Sequence, residues 1–431
     1  MELLIKNGRI LDPSTNLDFI GDIYIKNGII EEIGQDLQYS AEKLIDAKGL
    51  WVTPGLIDVH VHLREPGQEY KEDIESGSRS AAKGGFTTIC CMPNTKPVVD
   101  NEVVVEYINM KAKKAGLVNV LPIGAITKGQ EGEILANIGK MAEAGICAIS
   151  EDGKSVLDAN LLRKAMQYAS MFDLPILSHC EEPSLATGFM NAGEMSALLG
   201  MKEIYPESEE IIVARDIILA NNAKAKLHLC HLSTKGSIQL LKEAKLRGEI
   251  VTAEVTPHHF TLTEEAVEGY DTNTKVNPPL RTRIDVEAIK CGLRDGIVDI
   301  IATDHAPHHI DEKNCEYEVA ANGIVGLETS VSLTITELVN KGYLTPIGLV
   351  EKMSTNPARM LGIDKGTLEI GKIADITIIN PSIEYVVNGQ EFESKSKNTP
   401  FNGMKLQGKA MYTIVGGQVI MEDGKIRGEI Q

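Results

Sequence analysis

Two histidines near the start of the chain stand two residues apart, in the stretch Asp58-Val59-His60-Val61-His62. In a β-strand successive side chains point to opposite faces, so His60 and His62 would project together while the valines pack on the other side. An apolar run precedes this pair and a polar turn, Arg64-Glu65-Pro66-Gly67, follows it. The pattern is typical of a strand that carries two metal ligands at its carboxyl end. Two histidines that merely lie on an exposed strand would give the same sequence pattern.

Four further side chains of ligand type follow other predicted strands. Asp152 follows the fourth, His179 and His231 end the fifth and sixth, and Asp304 ends the eighth. Each has an ordinary alternative when taken singly: Asp152 could cap a helix, and a strand-end histidine could be a hydrogen-bonded core residue. All ten histidines, however, lie between residues 60 and 309. In a barrel the carboxyl ends of the strands meet on one face, so the six side chains are predicted to surround one site.

The donor set predicts a pair of metals. Four imidazoles and two carboxylates exceed the needs of one tetrahedral zinc and suit two ions that share a carboxylate. Nitrogen and oxygen donors without thiolate fit Zn²⁺, while Co²⁺, Mn²⁺ and Fe²⁺ take similar donors. Two metals roughly 3.5–4 Å apart can hold a hydroxide nucleophile and polarise a substrate oxygen. Asp304 is the carboxylate predicted to move the proton.

The middle of the chain contains the elements that would position these residues. Apolar strand-like runs are predicted at 57–62, 87–92, 118–123, 147–150, 175–179, 227–231, 250–255 and 300–304. Amphipathic helices are predicted at 72–83, 101–115, 131–144, 158–172, 208–222, 234–247 and 284–295. Eight alternating β/α units indicate a (β/α)8 TIM-type barrel, which usually takes about 250 residues. An open doubly wound sheet is the alternative, but no glycine-rich phosphate fingerprint follows any strand.

Both ends of the chain are rich in short strands. Asn-Gly pairs between apolar runs predict hairpins at Asn7-Gly8 and Asn27-Gly28. Near the C-terminus, Asn388-Gly389 and Gly416-Gly417 predict two further hairpin turns. Chain termini often lie close together, so the two ends are predicted to form one small composite β-sandwich domain. The predicted boundaries are 1–52 and 366–431 for this domain and 53–365 for the metal-dependent catalytic barrel.

Composition narrows the class of partner. The 431 residues are 43% hydrophobic and 24% charged, as in a soluble globular protein. A net charge of −18 argues against nucleic acid or an anionic membrane and leaves a small molecule as the expected partner. The start has no charged leader followed by a long apolar run, so a cytoplasmic location is expected. The odd number of cysteines, seven, predicts reduced thiols rather than a disulfide framework.

Several motifs together resemble the amidohydrolase superfamily and, within it, the long bacterial class of the dihydroorotase family. The stretch Asp58–His62, the later single histidines, Asp304 and Ala374-Asp375-Ile376 carry the likeness to the superfamily. Four motifs carry the likeness to the family, namely His62-Leu63-Arg64-Glu65-Pro66-Gly67, Met92-Pro93-Asn94-Thr95, Asp304-His305-Ala306-Pro307-His308 and Gly323-Ile324-Val325-Gly326-Leu327-Glu328-Thr329. The likeness runs along essentially the whole chain.

The resemblance implies the reversible cyclisation of N-carbamoyl-L-aspartate to (S)-dihydroorotate, the ring-closing step of pyrimidine (UMP) biosynthesis. It implies two Zn²⁺ per subunit, one held by His60 and His62 and the other by His179 and His231, with Asp152 as bridge and Asp304 as further ligand and general base and acid. It also implies that the substrate is held by His62, Arg64, Asn94, Asn277, His308, Asn322 and Gly323. The resemblance also implies that the protein is a homodimer and that it associates with aspartate carbamoyltransferase.

The sequence departs from this family pattern at two places. Many relatives bridge their metals with a carbamylated lysine on the fourth strand, whereas this strand has none and Lys154 lies beyond it, so the bridge is Asp152 or a modified residue. Ala321-Asn322 stands where Pro-Phe is expected. The polar segment 309–322 is long for a connection and is expected to be a mobile lid.

Alternative functions remain open on the sequence alone. Hydantoinase, dihydropyrimidinase and allantoinase share the fold and split similar cyclic amides, but Arg64 with Asn94 favours a substrate that bears a carboxylate. Arg64 could instead form a surface salt bridge with Glu65 or Glu69. A non-catalytic scaffold of the same superfamily is a different class of answer, and the full set of six ligand-type residues argues against it.

Overall fold

The fold was obtained as a computed structural model, which describes residues 2–428; Met1 and residues 429–431, at the outer edges of the predicted β-domain, lie outside the described residues. The strands are β1 Glu2–Asp12, β2 Leu17–Lys26, β3 Ile29–Gly34, β4 Lys43–Asp46, β5 Trp51–Pro54, β6 Leu56–Val61, β7 Phe86–Cys91, β8 Asn119–Ala125, β9 Ala148–Ser150, β10 Ile176–Ser178, β11 Met190–Asn191, β12 Glu203–Ile204, β13 Leu227–Leu229, β14 Val251–Val255, β15 Ile300–Ile301, β16 Ile376–Val386, β17 Lys405–Val415, β18 Gln418–Glu422 and β19 Lys425–Ile426.

Helices connect the strands of the middle region. They are α1 Ile74–Gly84, α2 Glu102–Ala115, α3 Ile138–Glu143, α4 Ala159–Ser170, α5 Glu194–Leu199, α6 Glu207–Ala223, α7 Lys235–Leu246, α8 Pro257–Thr261, α9 Arg283–Arg294, α10 Ile310–Lys313, α11 Ser330–Thr334, α12 Pro346–Val350 and α13 Asn356–Leu361. Short 3₁₀ turns lie at Lys128–Gln130, Pro183–Leu185, Glu264–Val267, Thr272–Thr274 and Gly389–Glu391, and π-helical turns at Ile335–Val339 and Glu351–Thr355.

Eight parallel strands form a nearly closed barrel in the order β15-β14-β13-β10-β9-β8-β7-β6. Each corresponds to one of the eight predicted strands, and the predicted fold class is confirmed. The ends of the sheet approach each other after β15, where Val61 forms a parallel bridge with His305 and the backbone N–H of His62 donates to the His305 carbonyl over 2.8 Å. All residues of β6 and β7 are buried, as expected for barrel strands that are covered on both faces.

The interior of the barrel below the strand ends is filled with apolar side chains. Ile57, Val59, Cys90, Met92 and Leu177 belong to one buried cluster there. The barrel is therefore a packed core, and chemistry is confined to the face at the carboxyl ends of its strands.

Most predicted helices form, and their ends have physical causes. Helix α1 begins where the Asp73 side chain accepts a hydrogen bond from the Ser76 backbone, and it ends at Gly85, whose φ of 94° suits glycine. The helix predicted over 131–144 is wrong in its first half. Residues 128–136 instead fold into a loop in which Gly129 and Gly132 have positive φ, so the helix starts only at Ile138. The short helices α5, α8 and α10 to α13 were not predicted.

The two ends of the chain form one hydrogen-bonded sheet, in the order β19-β18-β17-β16-β5-β1-β2-β3 with β4 also paired to β1. The ends meet where β16 runs antiparallel to β5, with Ile378 opposite Val52. A separate apolar cluster that includes Ile5, Ile23 and Ile376 lies against this sheet. The predicted pairing of the ends is confirmed, while the domain boundaries drawn from the sequence stay a prediction.

Two of the four predicted hairpin turns form. Asn27-Gly28 joins β2 to β3, and Gly416-Gly417 joins β17 to β18. Asn7-Gly8 is not a turn but a bulge inside β1: Asn7 has a φ of 62°, and its N–H donates to Asp22 Oδ1 rather than to the ladder. Asn388-Gly389 begins a 3₁₀ turn that leads into a long loop before β17.

Two further observations bear on the composition. All seven cysteines are free, in agreement with the prediction of reduced thiols. Among residues 2–428, no helix has the length and apolar character needed to cross a membrane.

Candidate active site

The six predicted ligand residues lie together at one end of the barrel. His60 is in β6 and His62 follows it, while the other four come within three residues of the ends of β9, β10, β13 and β15. Each is buried, with at most 6% of its surface exposed. The parallel order of the strands explains the convergence, because every strand of such a barrel ends on the same face.

The ligand-type atoms approach one another closely. His60 Nε2 lies 3.3 Å from Asp152 Oδ1 and 3.4 Å from Asp304 Oδ1, and His62 Nε2 lies 3.0 Å from Asp304 Oδ1. On the other side of Asp152, His179 Nδ1 and His231 Nε2 are 2.9 Å apart and each is 3.8 Å from Asp152 Oδ1. Asp152 is thus the one carboxylate within 4 Å of all four imidazoles, as a bridging ligand has to be.

The backbone at the site is strained at three positions. Arg64, His231 and Asp304 have φ values of 60°, 34° and 46°, in the left-handed region that side chains other than glycine rarely adopt. Each such residue costs on the order of 1–3 kcal/mol and persists only where its surroundings hold it. The clustering of the three residues at the strand ends is typical of a functional site.

Both carboxylates of the cluster are ionised. Burial by itself would raise the pKa of Asp304, but the imidazoles of His60 and His62 outweigh it and hold that pKa well below its usual range. The pKa of Asp152 is lowered in the same way, against burial, by His60 and His231. The site therefore offers two anionic oxygen ligands beside its four imidazoles, and a divalent metal ion takes such donors.

The residues present fit a metal site. His60 Nε2 and Asp152 Oδ1 face the cluster and are buried without a hydrogen-bond partner among the described residues, a state that is costly unless a further group satisfies them. The groupings His60-Asp152-His231 and His60-His62-Asp304 each bring their donor atoms within 4.8 Å of one another. Lys154 donates to the Gln130 carbonyl over 2.8 Å and so is engaged elsewhere, which favours Asp152 over a modified lysine as the bridge.

Three polar residues orient the histidines from outside the cluster. Glu254 Oε1 lies 2.6 Å from His60 Nδ1, and Asn94 Oδ1 lies 2.9 Å from His62 Nδ1. Glu181 Oε2 lies 3.8 Å from His179 Nε2. The sequence analysis missed Glu254 and Glu181. Glu254 could have been found from the sequence, because it is the one charged residue in the strand Val251–Val255. A carboxylate buried in a strand requires a polar partner.

A cavity of about 290 Å³ opens over the metal-ligand candidates. Its walls include His62, Arg64, Asn94, Asp152, His179, His231, Asn277, Asp304, His308, Asn322 and Gly323. All residues that the sequence analysis assigned to substrate binding thus line one cavity, together with five of the six ligand candidates; His60 lies beneath it.

Arg64 lies in the wall of this cavity and is 8% exposed. Its Nε donates to the Pro307 carbonyl over 3.1 Å, and its Nη2 lies 3.2 Å from His308 Nε2. No salt bridge forms with the two nearby acids, since Glu65 pairs with Lys111 and Glu69 accepts from the Gly67 backbone. The guanidinium is therefore a buried cation that faces the cavity.

His308 is neutral and is fixed from two sides. Its Nε2 donates to the Asn322 carbonyl over 2.8 Å, and its Nδ1 lies 3.5 Å from Lys71 Nζ, from which it can accept. Burial, with the nearby charges of Arg64 and Lys71, lowers the pKa of His308 to about 3. The ring therefore acts as a hydrogen-bonding group rather than as a charge.

The segment 309–322 is anchored at two points. Lys313 is 3% exposed and donates to the carbonyls of Ala321 and Gly323 over 2.7 and 3.2 Å. Tyr317 packs in a small apolar cluster with Met190 and Val267. These contacts hold the loop against the cavity; its motion as a lid stays a prediction.

Three of the remaining histidines have other partners. His228, predicted to lie behind the site or in the core, lies 3.1 Å from Glu254 Oε2. His259 lies between Thr256 and the Pro278 carbonyl, and His305 lies 3.4 Å from Glu72 Oε2. None of these three lines the cavity.

Solved structures with the same fold are cyclic amidases. L-hydantoinase (dihydropyrimidinase) from Arthrobacter aurescens superposes with a TM-score of 0.87 at 28% identity, covering 98% of this chain and 97% of that one. Dihydropyrimidinase from Brevibacillus agri superposes with a TM-score of 0.83 at 23% identity, covering 99% and 96% of the two chains. The barrel, its appended sheet and the cluster of imidazoles and carboxylates define an enzyme of the amidohydrolase superfamily.

Sequence relatives narrow this class. A family model described as dihydro-orotase-like matches residues 49–237. The chain is 56% identical over 422 residues to the dihydroorotase of Ruminiclostridium cellulolyticum and to that of Acetivibrio thermocellus, covering 98% of this chain and 99% of each relative. The chain belongs to the dihydroorotase family, and it is a hydrolase of cyclic amides.

Proposed function

We propose that this enzyme interconverts N-carbamoyl-L-aspartate and dihydroorotate with two zinc ions per subunit. The observation that carries the proposal is the single cavity in which a buried arginine faces a cluster of imidazoles and carboxylates. A ring that bears a carboxylate needs both features, one to hold its charge and the other to open its amide. Ring closure consumes a proton, so lower pH favours dihydroorotate.

The distances support the proposed assignment of the metal ligands. His60 and His62 would hold one ion and His179 and His231 the other, with Asp152 between them and Asp304 beside the first pair. Nitrogen and oxygen donors of this kind fit Zn²⁺. Bound metal supplies Lewis-acid chemistry, in that it lowers the pKa of water and polarises a carbonyl oxygen.

Asp304 is the residue proposed to carry the proton. It lines the cavity and is ionised, so it can accept a proton as water attacks the ring carbonyl. The same carboxylic acid can then donate that proton to the departing ring nitrogen. In the direction of ring closure, Asp304 takes the proton from the ureido nitrogen and returns it to the leaving oxygen.

Arg64 is proposed to bind the substrate carboxylate, with Asn94 and His308 beside it. A planar guanidinium can grip a carboxylate through two parallel N–H bonds, and it offsets the negative field of a chain with a net charge of −18. Asn277 and the backbone at Asn322 and Gly323 form the rest of the wall and are proposed to contact the ring.

The experiment that tests the function is a comparison of four ring substrates with the zinc-loaded protein. We expect hydrolysis of dihydroorotate and at most trace hydrolysis of hydantoin, dihydrouracil and allantoin. Turnover of an uncharged ring in preference to dihydroorotate would contradict the carboxylate pocket and favour the hydantoinase alternative. Inactivity towards all four with metal bound would favour a scaffold role.

Assembly and location are proposed on the resemblance alone. The enzyme is proposed to be a cytoplasmic homodimer that associates with aspartate carbamoyltransferase. Light scattering after size exclusion, with and without the transferase, measures both states: a subunit mass of 46.9 kDa predicts about 94 kDa for the homodimer.

A further inference from the structure

One buried carboxylate behind the cavity touches three groups at once. Glu254 Oε1 lies 2.6 Å from His60 Nδ1 and accepts from the backbone N–H of His231 over 3.3 Å. Its other oxygen, Oε2, lies 3.1 Å from His228 Nε2. Glu254, His60 and His228 are all fully buried, so no water competes for these contacts.

The contacts determine where each ring carries its proton. An ionised carboxylate only accepts, so His228 Nε2, which lies 3.1 Å from Glu254 Oε2, carries a proton and donates it to this bond. Glu254 accepts hydrogen bonds from the His228 ring and from the His231 backbone. His60 Nδ1, which faces the same carboxylate at 2.6 Å, is therefore a donor as well. In a neutral His60 ring, a proton on Nδ1 leaves the lone pair on Nε2.

His60 Nε2 is the atom that faces the metal-ligand cluster. It lies 3.3 Å from Asp152 Oδ1 and 3.4 Å from Asp304 Oδ1 and has no hydrogen-bond partner among the described residues. We propose that Glu254 is a positioning residue that holds His60 in the Nδ1–H form and His231 in its left-handed backbone, so that one carboxylate orients one ligand of each metal. This inference rests on the proposed metal site.

The first test measures the protonation of His60 without metal. Nitrogen-15 spectra of histidine-labelled, metal-free wild-type protein, recorded at a pH high enough for the His60 ring to be neutral, are expected to show His60 protonated at Nδ1. Glu254→Met, which keeps the length of the side chain but offers no acceptor, is expected to show a mixture of the two ring forms. A wild-type His60 protonated at Nε2 would overturn the proposal.

The second test measures zinc affinity by competition with a chelator. Glu254→Met is expected to weaken zinc binding about 10- to 100-fold, as loss of an outer partner of a metal-binding histidine usually does. Glu254→Gln keeps an acceptor oxygen but loses the charge, and a smaller loss is expected. If Glu254→Met does not fold, Glu254→Gln decides: wild-type affinity in that variant overturns the proposal.

The matched control is Glu328→Met, at a half-buried carboxylate that is also hydrogen-bonded. Glu328 Oε1 accepts from Ser80 Oγ and from the backbones of Glu393 and Ser394 over 2.8–3.2 Å, so this substitution also breaks a network. Its zinc affinity is expected within twofold of wild type; an equal loss in both Met variants would overturn the specific role of Glu254. A wild-type protein that bound no zinc would contradict the proposed function, while the nitrogen-15 spectrum would still test Glu254.

Discussion

At the scale of single residues, the site combines ionised carboxylates with one buried cation. Asp304 lies 3.0 Å from His62 Nε2, and Arg64 lines the same cavity. The two side chains are proposed to act on opposite parts of the substrate, the amide and the carboxylate. Substitutions at these residues should therefore change different kinetic constants.

Removing the charge of Asp304 is expected to stop proton transfer. Asp304→Asn should lower kcat about 10²- to 10⁴-fold in both directions, the usual contribution of a general acid or base, while zinc remains bound. The control is Asp12→Asn, at a buried aspartate in the terminal sheet, which should keep wild-type kcat. Steady-state rates and metal analysis measure the effect, and full activity of Asp304→Asn would exclude the proton-transfer role.

Removing the charge of Arg64 is expected to weaken substrate binding. Arg64→Met should raise the KM for dihydroorotate roughly 30- to 1,000-fold, since a charge-assisted bidentate bond contributes about 2–4 kcal/mol. Arg64→Lys should recover only part of the loss, because an ammonium lacks the planar fork. Arg294→Met, at an exposed arginine paired with Asp295, serves as the control. An unchanged KM in Arg64→Met would indicate that the substrate carboxylate binds in another part of the cavity.

At the scale of elements, the strand ends supply the metal ligands and the loops supply the substrate wall. The segment 309–322 joins these parts, since His308 precedes it and Gly323 follows it. Lys313 holds the end of this loop through backbone carbonyls. One buried side chain is thus a main anchor of the loop, beside the apolar contacts of Tyr317.

Loss of that side chain is expected to loosen the loop. Lys313→Met leaves the Ala321 carbonyl without a donor, at about 1–3 kcal/mol, and leaves the Gly323 carbonyl with Asn398 as its donor, so the KM should rise on the order of fivefold and proteolysis within 309–322 should become faster. The control is Lys140→Met, at an exposed lysine on α3. Kinetics and limited proteolysis measure both effects, and a cleavage rate equal to that of wild type would exclude Lys313 as the anchor.

At the scale of the whole molecule, the terminal sheet and the barrel are joined through buried polar contacts. Glu328, which follows the barrel strands, accepts hydrogen bonds from the backbones of Glu393 and Ser394 in the C-terminal segment. Burial raises the pKa of Glu328 from 4.5 to about 7. This junction is therefore sensitive to pH.

The raised pKa of Glu328 predicts how stability changes with pH. Between pH 4.5 and 7 the folded state holds a proton that the unfolded state releases, so this contribution is complete below pH 4.5 and is lost as pH rises through 7. Glu328→Gln keeps the acceptor oxygen and removes the titrating group. At pH 8 its free energy of unfolding should therefore exceed that of wild type by up to about 3 kcal/mol. Urea unfolding at pH 5 and pH 8 measures the difference. An equal fall in stability between the two pH values in both proteins would contradict the prediction.

The sequence by itself determined the barrel and the six ligand candidates. The reason is local: residues two apart share one face of a strand, and the carboxyl ends of parallel strands lie on one face of a barrel, so His60, His62 and Asp304 could be placed from their positions alone. It also identified the residues of the cavity wall, such as Arg64, through the resemblance of their motifs.

The side chains that orient the six ligand candidates could be identified from the folded structure alone. Glu254 orients His60 across 194 positions of sequence, and no local pattern contains such a contact. Asn7-Gly8 has the chemistry of a hairpin turn, yet Asp22 accepts the N–H of Asn7 and the strand continues as a bulge. Local periodicity fixes which face a residue occupies, whereas the partners of buried polar groups depend on the packing of distant segments.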